Sequence, residues 1–274
     1  MKKVLLVIDG KHFSNGAFEF IKKMNDSEPV LLVGLFLPAV EFTELFYAMG
    51  GMTGPVFLPD MKEETEDDLR KNIELFEHLC EKNGIEYRVH NNPVSNIANE
   101  LKVESRYADL MVIGNELFYS NLGNERQYEY LLHALHNSEC PALLVPEQYS
   151  FPETLVITYD GSASSTFALK LFSYLFPDMC SLKTLMVYAS VEKDIPDTEY
   201  VAELASRHYS NLTLHKLTAE PLKYFESWLM DNKNPLVISG AYSRSFISEI
   251  MKRSFVSEVI NDHNVPVFIA HTKH

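Results

Sequence analysis

The sequence predicts an α/β protein of two tandem domains, each a doubly wound, five-stranded parallel sheet of Rossmann-like or flavodoxin-like type in the order 3-2-1-4-5. Short apolar runs alternate with segments of helical periodicity, which is typical of βαβ units. Three sequence blocks recur in the same order in the two halves of the chain. The length of 274 residues also suits two domains of roughly 100–150 residues each.

In the first copy, apolar runs and amphipathic stretches alternate from the N-terminus onward. We expect strands near 3–8, 30–36, 85–90, 109–113 and 142–145. We expect helices near 13–24, 65–82, 95–106 and 125–137. The helix over 65–82 carries an apolar stripe that includes Phe76 and Cys80. Its acidic start suits the positive end of a helix dipole, so we interpret it as a solvated helix start rather than a charged binding face.

The second copy repeats this order of elements. We expect its strands near 154–159, 182–188, 212–217, 235–239 and 266–270. Ligands of an open parallel sheet bind beyond the carboxyl ends of the strands, where the strand order reverses, and here that point lies between strands one and four. The residues that end those strands are Asp9 and Gly114 in the first copy and Asp160 and Gly240 in the second.

The internal repeat sets the domain boundaries. Aligning Asp9 with Asp160 also aligns Ser14 with Ser165. Two further pairs of blocks match: 108–114 with 234–240, and 140–145 with 265–270. The predicted domains are therefore 1–147 and 151–274, with the boundary near 146–150.

The first copy is longer than the second. The offset between the copies falls from 151 residues at the first block to 126 at the second, which places about 25 extra residues around 38–64. This stretch is apolar and rich in glycine. We interpret it as a loop folded over its own domain, with a lid or a partner-facing loop as the alternative.

Composition limits the classes of partner. The chain has 24 Lys and Arg against 38 Asp and Glu, a net charge of −14 and no basic stripe, which argues against nucleic acid. No apolar run approaches the roughly 20 residues of a membrane span, and the run that follows Met1 stops at Asp9, too early for a signal peptide. We therefore expect a cytoplasmic protein without a membrane partner. Cys80, Cys140 and Cys180 form no Cys-x-x-Cys motif and are expected to be reduced, mostly buried thiols.

Residues 160–169 read Asp-Gly-Ser-Ala-Ser-Ser-Thr-Phe-Ala-Leu, and Ser254 precedes Pro266 by twelve residues. In both features the chain resembles the universal stress protein family. Members of that family read Asp-Gly-Ser-x-x-Ser-x-x-Ala-Leu after the first strand, with a Ser opening the last helix and a Pro opening the last strand. The resemblance covers nearly the whole chain. It implies a non-catalytic stress-response or regulatory protein that acts through association with other proteins.

The resemblance also implies a candidate ATP or AMP site in the second copy. Nucleotide-binding members carry Gly-x-x-Gly, nine residues and then Gly-Ser or Gly-Thr after strand four. Here Gly240 and Ser254 match, whereas Ser243 and Arg253 replace glycines. These two side chains could contact phosphate oxygens, or could fill the space that the phosphates need. The residues implied at the nucleotide are Tyr159, Asp160, Gly161, Val187, Gly240, Ser243, Arg253, Ser254 and Phe255.

Several of these residues also have purely structural interpretations. Asp160 can cap its own turn, and Gly240 can serve a tight strand exit. Ser162, Ser164 or Ser254 can serve as a helix N-cap. The first copy has Glu116 where the motif would bind an anion, so no phosphate loop of this kind is expected there.

Motifs of catalytic chemistry are missing from the sequence. We find no Gly-x-x-x-x-Gly-Lys-Ser/Thr loop and no Gly-x-Ser-x-Gly elbow. His133 and His136 share helical spacing, but no further ligand pair stands nearby to complete a metal site. We therefore expect neither catalytic nor metal-binding residues. The alternative is a true ATP-binding sensor, or a weak ATP hydrolase that uses the site of the second copy.

Duplication suggests how the copies associate. Single-domain members of the resembled family commonly pair through their last strands, which implies an intramolecular pseudo-dimer in which the strands at Pro141 and Pro266 meet. A homodimer of the whole chain is a further candidate assembly. The partner proteins are not identified by the sequence.

Overall fold

The structure is a computed structural model. It describes residues 1–9, 13–37, 62–91, 97–114, 138–190, 194–217, 225, 228–240, 265–270 and 272. The chain divides into two compact units, Met1–Ala142 and Leu143–His274. Within the described ranges, no helix combines the length and apolar character needed to cross a bilayer.

Unit one alternates strands and helices, as the apolar pattern predicts. Its strands are β1 (Lys2–Asp9), β2 (Val30–Leu37), β3 (Glu86–His90) and β4 (Leu110–Gly114). Its helices are α1 (Asn15–Ser27), α2 (Lys62–Lys82) and α3 (Ile97–Arg106). The strand order is β3-β2-β1-β4, and the pairs are parallel. The helix predicted over 125–137, and residues 38–61 of the extra stretch, lie outside the described residues.

Unit two contains most of β5 (Ala142–Val145), followed by β6 (Thr154–Thr158), β7 (Lys183–Ala189), β8 (Leu212–Leu217), β9 (Pro235–Gly240) and β10 (Val267–Ala270). Its helices are α4 (Ala163–Leu175), a 3₁₀ turn at Pro177–Ser181, and α5 (Thr198–His208). The strand order is β5-β10-β9-β6-β7-β8. The pairs β6–β7, β6–β9, β7–β8 and β9–β10 are parallel.

The prediction of two separate five-stranded sheets is wrong. The order of the last five strands in unit two is the predicted 3-2-1-4-5, but β5, the last strand of the first sequence copy, lies next to β10 in the same hydrogen-bonded sheet. β5 is buried along its whole length, and a buried strand edge without a neighbour would leave backbone donors and acceptors unsatisfied. Pairing with β10 satisfies these groups on one side of β5.

Burial follows position in the sheet. The strands β4, β6, β9 and β10 are buried at every residue, as expected for parallel strands covered on both faces. β3 and β8, at the ends of the strand order, have no buried residue and consist of exposed and partly exposed residues. In unit two, Phe172 of α4 meets Phe268 of β10 edge to face, with ring centroids 5.2 Å apart. This contact fixes α4 against the strands whose carboxyl ends form the candidate site.

Candidate functional site

The carboxyl ends of β6 and β9 lie side by side at one edge of the sheet in unit two. The strands pair in parallel with Thr158 opposite Ser239. Thr158 Oγ1 also donates a hydrogen bond to the Ile238 carbonyl oxygen at 3.1 Å. Strands one and four of the second copy are therefore neighbours, as predicted, and their ends define the candidate site.

Asp160 and Gly161 form the turn that leaves β6. Asp160 Oδ1 accepts the Ser162 backbone N–H at 2.9 Å, so the side chain closes its own turn as the structural interpretation predicted. Gly161 has φ +82°, a backbone conformation that an L side chain rarely adopts. Together these two residues let the chain turn sharply into α4.

Ser162 caps the N-terminus of α4. Its extended backbone (φ −75°, ψ 157°) is that of an N-cap residue. Its Oγ accepts the Ser165 backbone N–H at 3.1 Å. The predicted N-cap role is thereby assigned to Ser162 rather than Ser164. The N-terminus of α4 therefore presents backbone N–H donors and the positive end of the helix dipole at this edge of the sheet.

Gly240 ends β9 in close contact with the first turn of α4. A Cβ added there would lie 2.5 Å from the carbonyl carbon of Ser164 and 2.5 Å from the backbone nitrogen of Ser165. Backbone atoms cannot move aside as a flexible side chain can, so a side chain at this position would force the strand or the helix to shift. Gly240 thus serves a close helix–strand contact, whereas the predicted tight exit from β9 lies outside the described residues.

The end of β10 reaches the same helix. Ser164 Oγ and Thr272 Oγ1 lie 3.4 Å apart, and either hydroxyl can donate. The sequence reasoning missed Thr272, since a threonine two residues beyond a strand carries no motif. The hydroxyls of Ser164 and Thr272 place polar groups beside Gly240.

Tyr159 and Val187 join β6 to β7 on the other side of the turn. The Tyr159 N–H donates to the Val187 carbonyl oxygen at 3.0 Å, and both residues are buried. Burial raises the pKa of the Tyr159 phenol, and the charges of Asp197 and Asp160 raise it further, against a hydrogen bond with Thr166 that lowers it. The phenol therefore stays neutral at physiological pH beside two carboxylates.

The structure brings together Tyr159, Asp160, Gly161, Val187 and Gly240, five of the residues named from the sequence. The other four, Ser243, Arg253, Ser254 and Phe255, lie outside the described residues. Across the part of the chain that is described, no group of three or more His, Cys, Asp or Glu side chains could hold a metal ion.

Unit one has a comparable close approach. Ser14 is the N-cap of α1 and accepts the Ala17 N–H at 3.2 Å. A Cβ added at Gly114, the last residue of β4, would lie 2.3 Å from Cβ and Oγ of Ser14. A glycine facing the first turn of the helix thus occurs in both units, at positions that the repeat pairs.

Comparison with known proteins shows a similarity of fold but no match of sequence. No protein-family model matches the chain. No curated protein matches it either. Among solved structures, the chain is similar to a universal stress protein from Archaeoglobus fulgidus, with 14% sequence identity and a TM-score of 0.68. The similarity covers 98% of this chain and 96% of that one, so the α/β fold is shared along the whole length.

Proposed function

We propose that this chain is a non-catalytic regulatory protein of the universal stress type, which acts in stress responses by associating with other proteins and holds ATP or AMP in unit two. The contact of Gly240 with the first turn of α4 is the observation that best supports a ligand site there. Because Gly240 has no side chain, the N-terminal turn of α4 packs directly on the end of β9, at the point where ligands of doubly wound sheets bind. The fold shared with the Archaeoglobus fulgidus protein supports the same proposal.

The described residues suit the base end of a nucleotide. The resemblance implies that Asp160 lies near the base, and here its carboxylate stands at the end of β6 on a turn fixed by Gly161. Val187, on the neighbouring strand, is buried, and its carbonyl oxygen accepts the Tyr159 N–H beside this turn. The phosphates would then lie beyond Gly240, toward the sequence motif that includes Ser243, Arg253 and Ser254.

Thermal unfolding tests this proposal directly. Nucleotide that co-purifies is first removed, and the melting transitions are followed with and without about 1 mM Mg-ATP. A Kd near 10 μM would stabilise the binding unit by about 2.7 kcal/mol, a shift of several degrees. The Asp160→Ala variant is expected to lose this shift. The matched control is Asp178→Ala, which changes an acidic residue in the 3₁₀ turn at Pro177–Ser181.

Two further measurements separate regulation from catalysis. The proposal predicts no release of phosphate from Mg-ATP above the rate in buffer. It also predicts that Mg-ATP changes self-association or partner binding, which light scattering at several protein concentrations would detect for self-association. Steady phosphate release lost in Asp160→Ala would favour a weak hydrolase instead. Unchanged melting with every nucleotide would contradict nucleotide binding.

A further inference from the structure

A short segment before α5 lies directly on the turn at the candidate site. We call residues 194–198 the strap. A Cβ added at Gly161 would lie 2.8 Å from Cβ and 3.1 Å from Cγ of Pro196. The pyrrolidine ring of Pro196 therefore covers the face of Gly161 that a side chain would otherwise occupy. Any ligand that packs on this face meets Pro196 first.

The strap has one ion pair to a neighbouring strand and one hydrogen bond within itself. Asp194 Oδ1 lies 3.0 Å from Nζ of Lys216 in β8, although the Asp194 side chain is 99% exposed. Thr198 Oγ1 donates to the Ile195 carbonyl oxygen at 2.6 Å. An exposed ion pair of this kind is weak, so it holds the strap in place without locking it.

Asp197 places a negative charge of the strap near the candidate site. Its backbone (φ 49°, ψ 36°) lies in the left-handed region, which aspartate adopts more readily than most residues. It precedes α5 without a side-chain hydrogen bond of the N-cap kind. Its charge is also close enough to raise the pKa of the Tyr159 phenol. Movement of the strap would withdraw this negative charge from the site.

We propose that the strap is an autoinhibitory cover, which closes the base end of the candidate site when no ligand is present and must lift Pro196 from Gly161 for a nucleotide to bind. This inference rests on the proposed nucleotide function. A closed population lowers the apparent affinity by the fraction of molecules that are open. Breaking the strap's contacts therefore strengthens binding, whereas removing part of a binding wall would weaken it.

Calorimetric titration with Mg-ATP tests the strap. Pro196→Gly removes the ring from Gly161, and Asp194→Asn breaks the ion pair with Lys216 at nearly constant shape. Each is expected to lower Kd, by about three- to tenfold for Pro196→Gly and less for Asp194→Asn, because a larger open fraction reduces the cost of opening. Glu203→Gln, which neutralises an exposed carboxylate elsewhere on α5, is the control and should leave Kd unchanged.

Hydrogen exchange supplies an independent measurement. Saturating Mg-ATP is expected to speed exchange at the amides of Ile195, Asp197 and Thr198 and to slow it at Ser162. If Pro196→Gly bound Mg-ATP as tightly as the parent protein or more weakly, or if ATP slowed exchange along the strap, the autoinhibitory role of the strap would be overturned while nucleotide binding stayed intact. Binding of Mg-ATP by Pro196→Gly but not by the parent protein would strongly support that role. No binding by any variant would overturn the strap together with the nucleotide site.

Discussion

Gly240 and Ser165 approach so closely that a single added carbon on Gly240 would lie 2.5 Å from the Ser165 backbone nitrogen. The strand and the helix that form this contact belong to different βα segments, and 59 residues lie between the end of α4 and the start of β9. Their contact holds the first turn of α4 over the end of β9. The glycine is thus required for packing whether or not a ligand binds beside it.

Replacement of Gly240 by alanine is expected to lower the free energy of unfolding of unit two by about 1–3 kcal/mol, because overpacking forces backbone to move. Gly240→Val should cost more than Gly240→Ala, since the added volume is larger. Urea unfolding measures both. The control is Gly84→Asn, because Gly84 has φ +63° with nothing within 4 Å of an added Cβ, and asparagine tolerates that conformation. Equal stability of Gly240→Val and the parent protein would refute the contact.

The N-cap of α4 gives a second prediction. Ser162→Ala removes the oxygen that accepts the Ser165 N–H and should cost about 1 kcal/mol, whereas Ser162→Gly should cost only a few tenths. The same pair of substitutions at Ser14 tests the cap of α1. Thermal unfolding of the four variants checks the order. If alanine and glycine were equally tolerated at Ser162, the cap would not be formed in solution.

The buried thiols predict a loss of stability in alkali. Burial, the largest cause at each site, raises the pKa to about 12 for Cys80 and Cys140 and to about 11 for Cys180. In the unfolded chain a thiol has a pKa of about 8.5. The contribution of the buried thiols to the free energy of unfolding is therefore complete below pH ~8.5. It is lost as pH rises toward the thiol pKa of the folded protein, because over this range only the unfolded chain releases the thiol protons.

Urea unfolding between pH 8 and 9.5 measures this effect. Once the unfolded thiol is ionised, each buried thiol lowers the free energy of unfolding by up to about 1.4 kcal/mol per pH unit. Cys80→Ala should reduce the slope by the share of one thiol, even if the cavity it creates lowers stability at every pH. A slope unchanged by this variant would mean that Cys80 ionises in the folded protein as readily as in the unfolded chain.

The parts of the fold that repeat in the sequence were predictable from local patterns. The turn at Asp160 and the strand end at Gly240 follow from apolar runs that stop at turn-forming residues. The N-cap at Ser162 follows from the preference of serine for that position. These signals are local because backbone conformation and capping depend on neighbouring residues.

Other features depend on contacts between distant segments, which local patterns do not reveal. No pattern within residues 142–145 indicates that β5 lies next to β10, since a short buried strand reads the same in either sheet; only the family resemblance implied that the strands at Pro141 and Pro266 meet. The contact of Pro196 with Gly161 could not be predicted from the sequence either, because the segment after β7 has no counterpart among the repeated blocks. Such contacts follow from packing, which local patterns do not record.

The phenol of Tyr209 gives the last prediction. Tyr209 follows α5, is 2% exposed, and donates a hydrogen bond from its hydroxyl to the Leu169 carbonyl oxygen in α4 at 2.7 Å. Tyr209→Phe keeps the ring but loses this bond between the two helices, which should cost about 0.5–1.5 kcal/mol in urea unfolding. Tyr200→Phe is the matched control, since Tyr200 lies on the same helix with 76% of its surface exposed, and its stability should not change. A loss of equal size in both variants would show that the buried bond does not hold α5 to α4, since only Tyr209 is placed to make it.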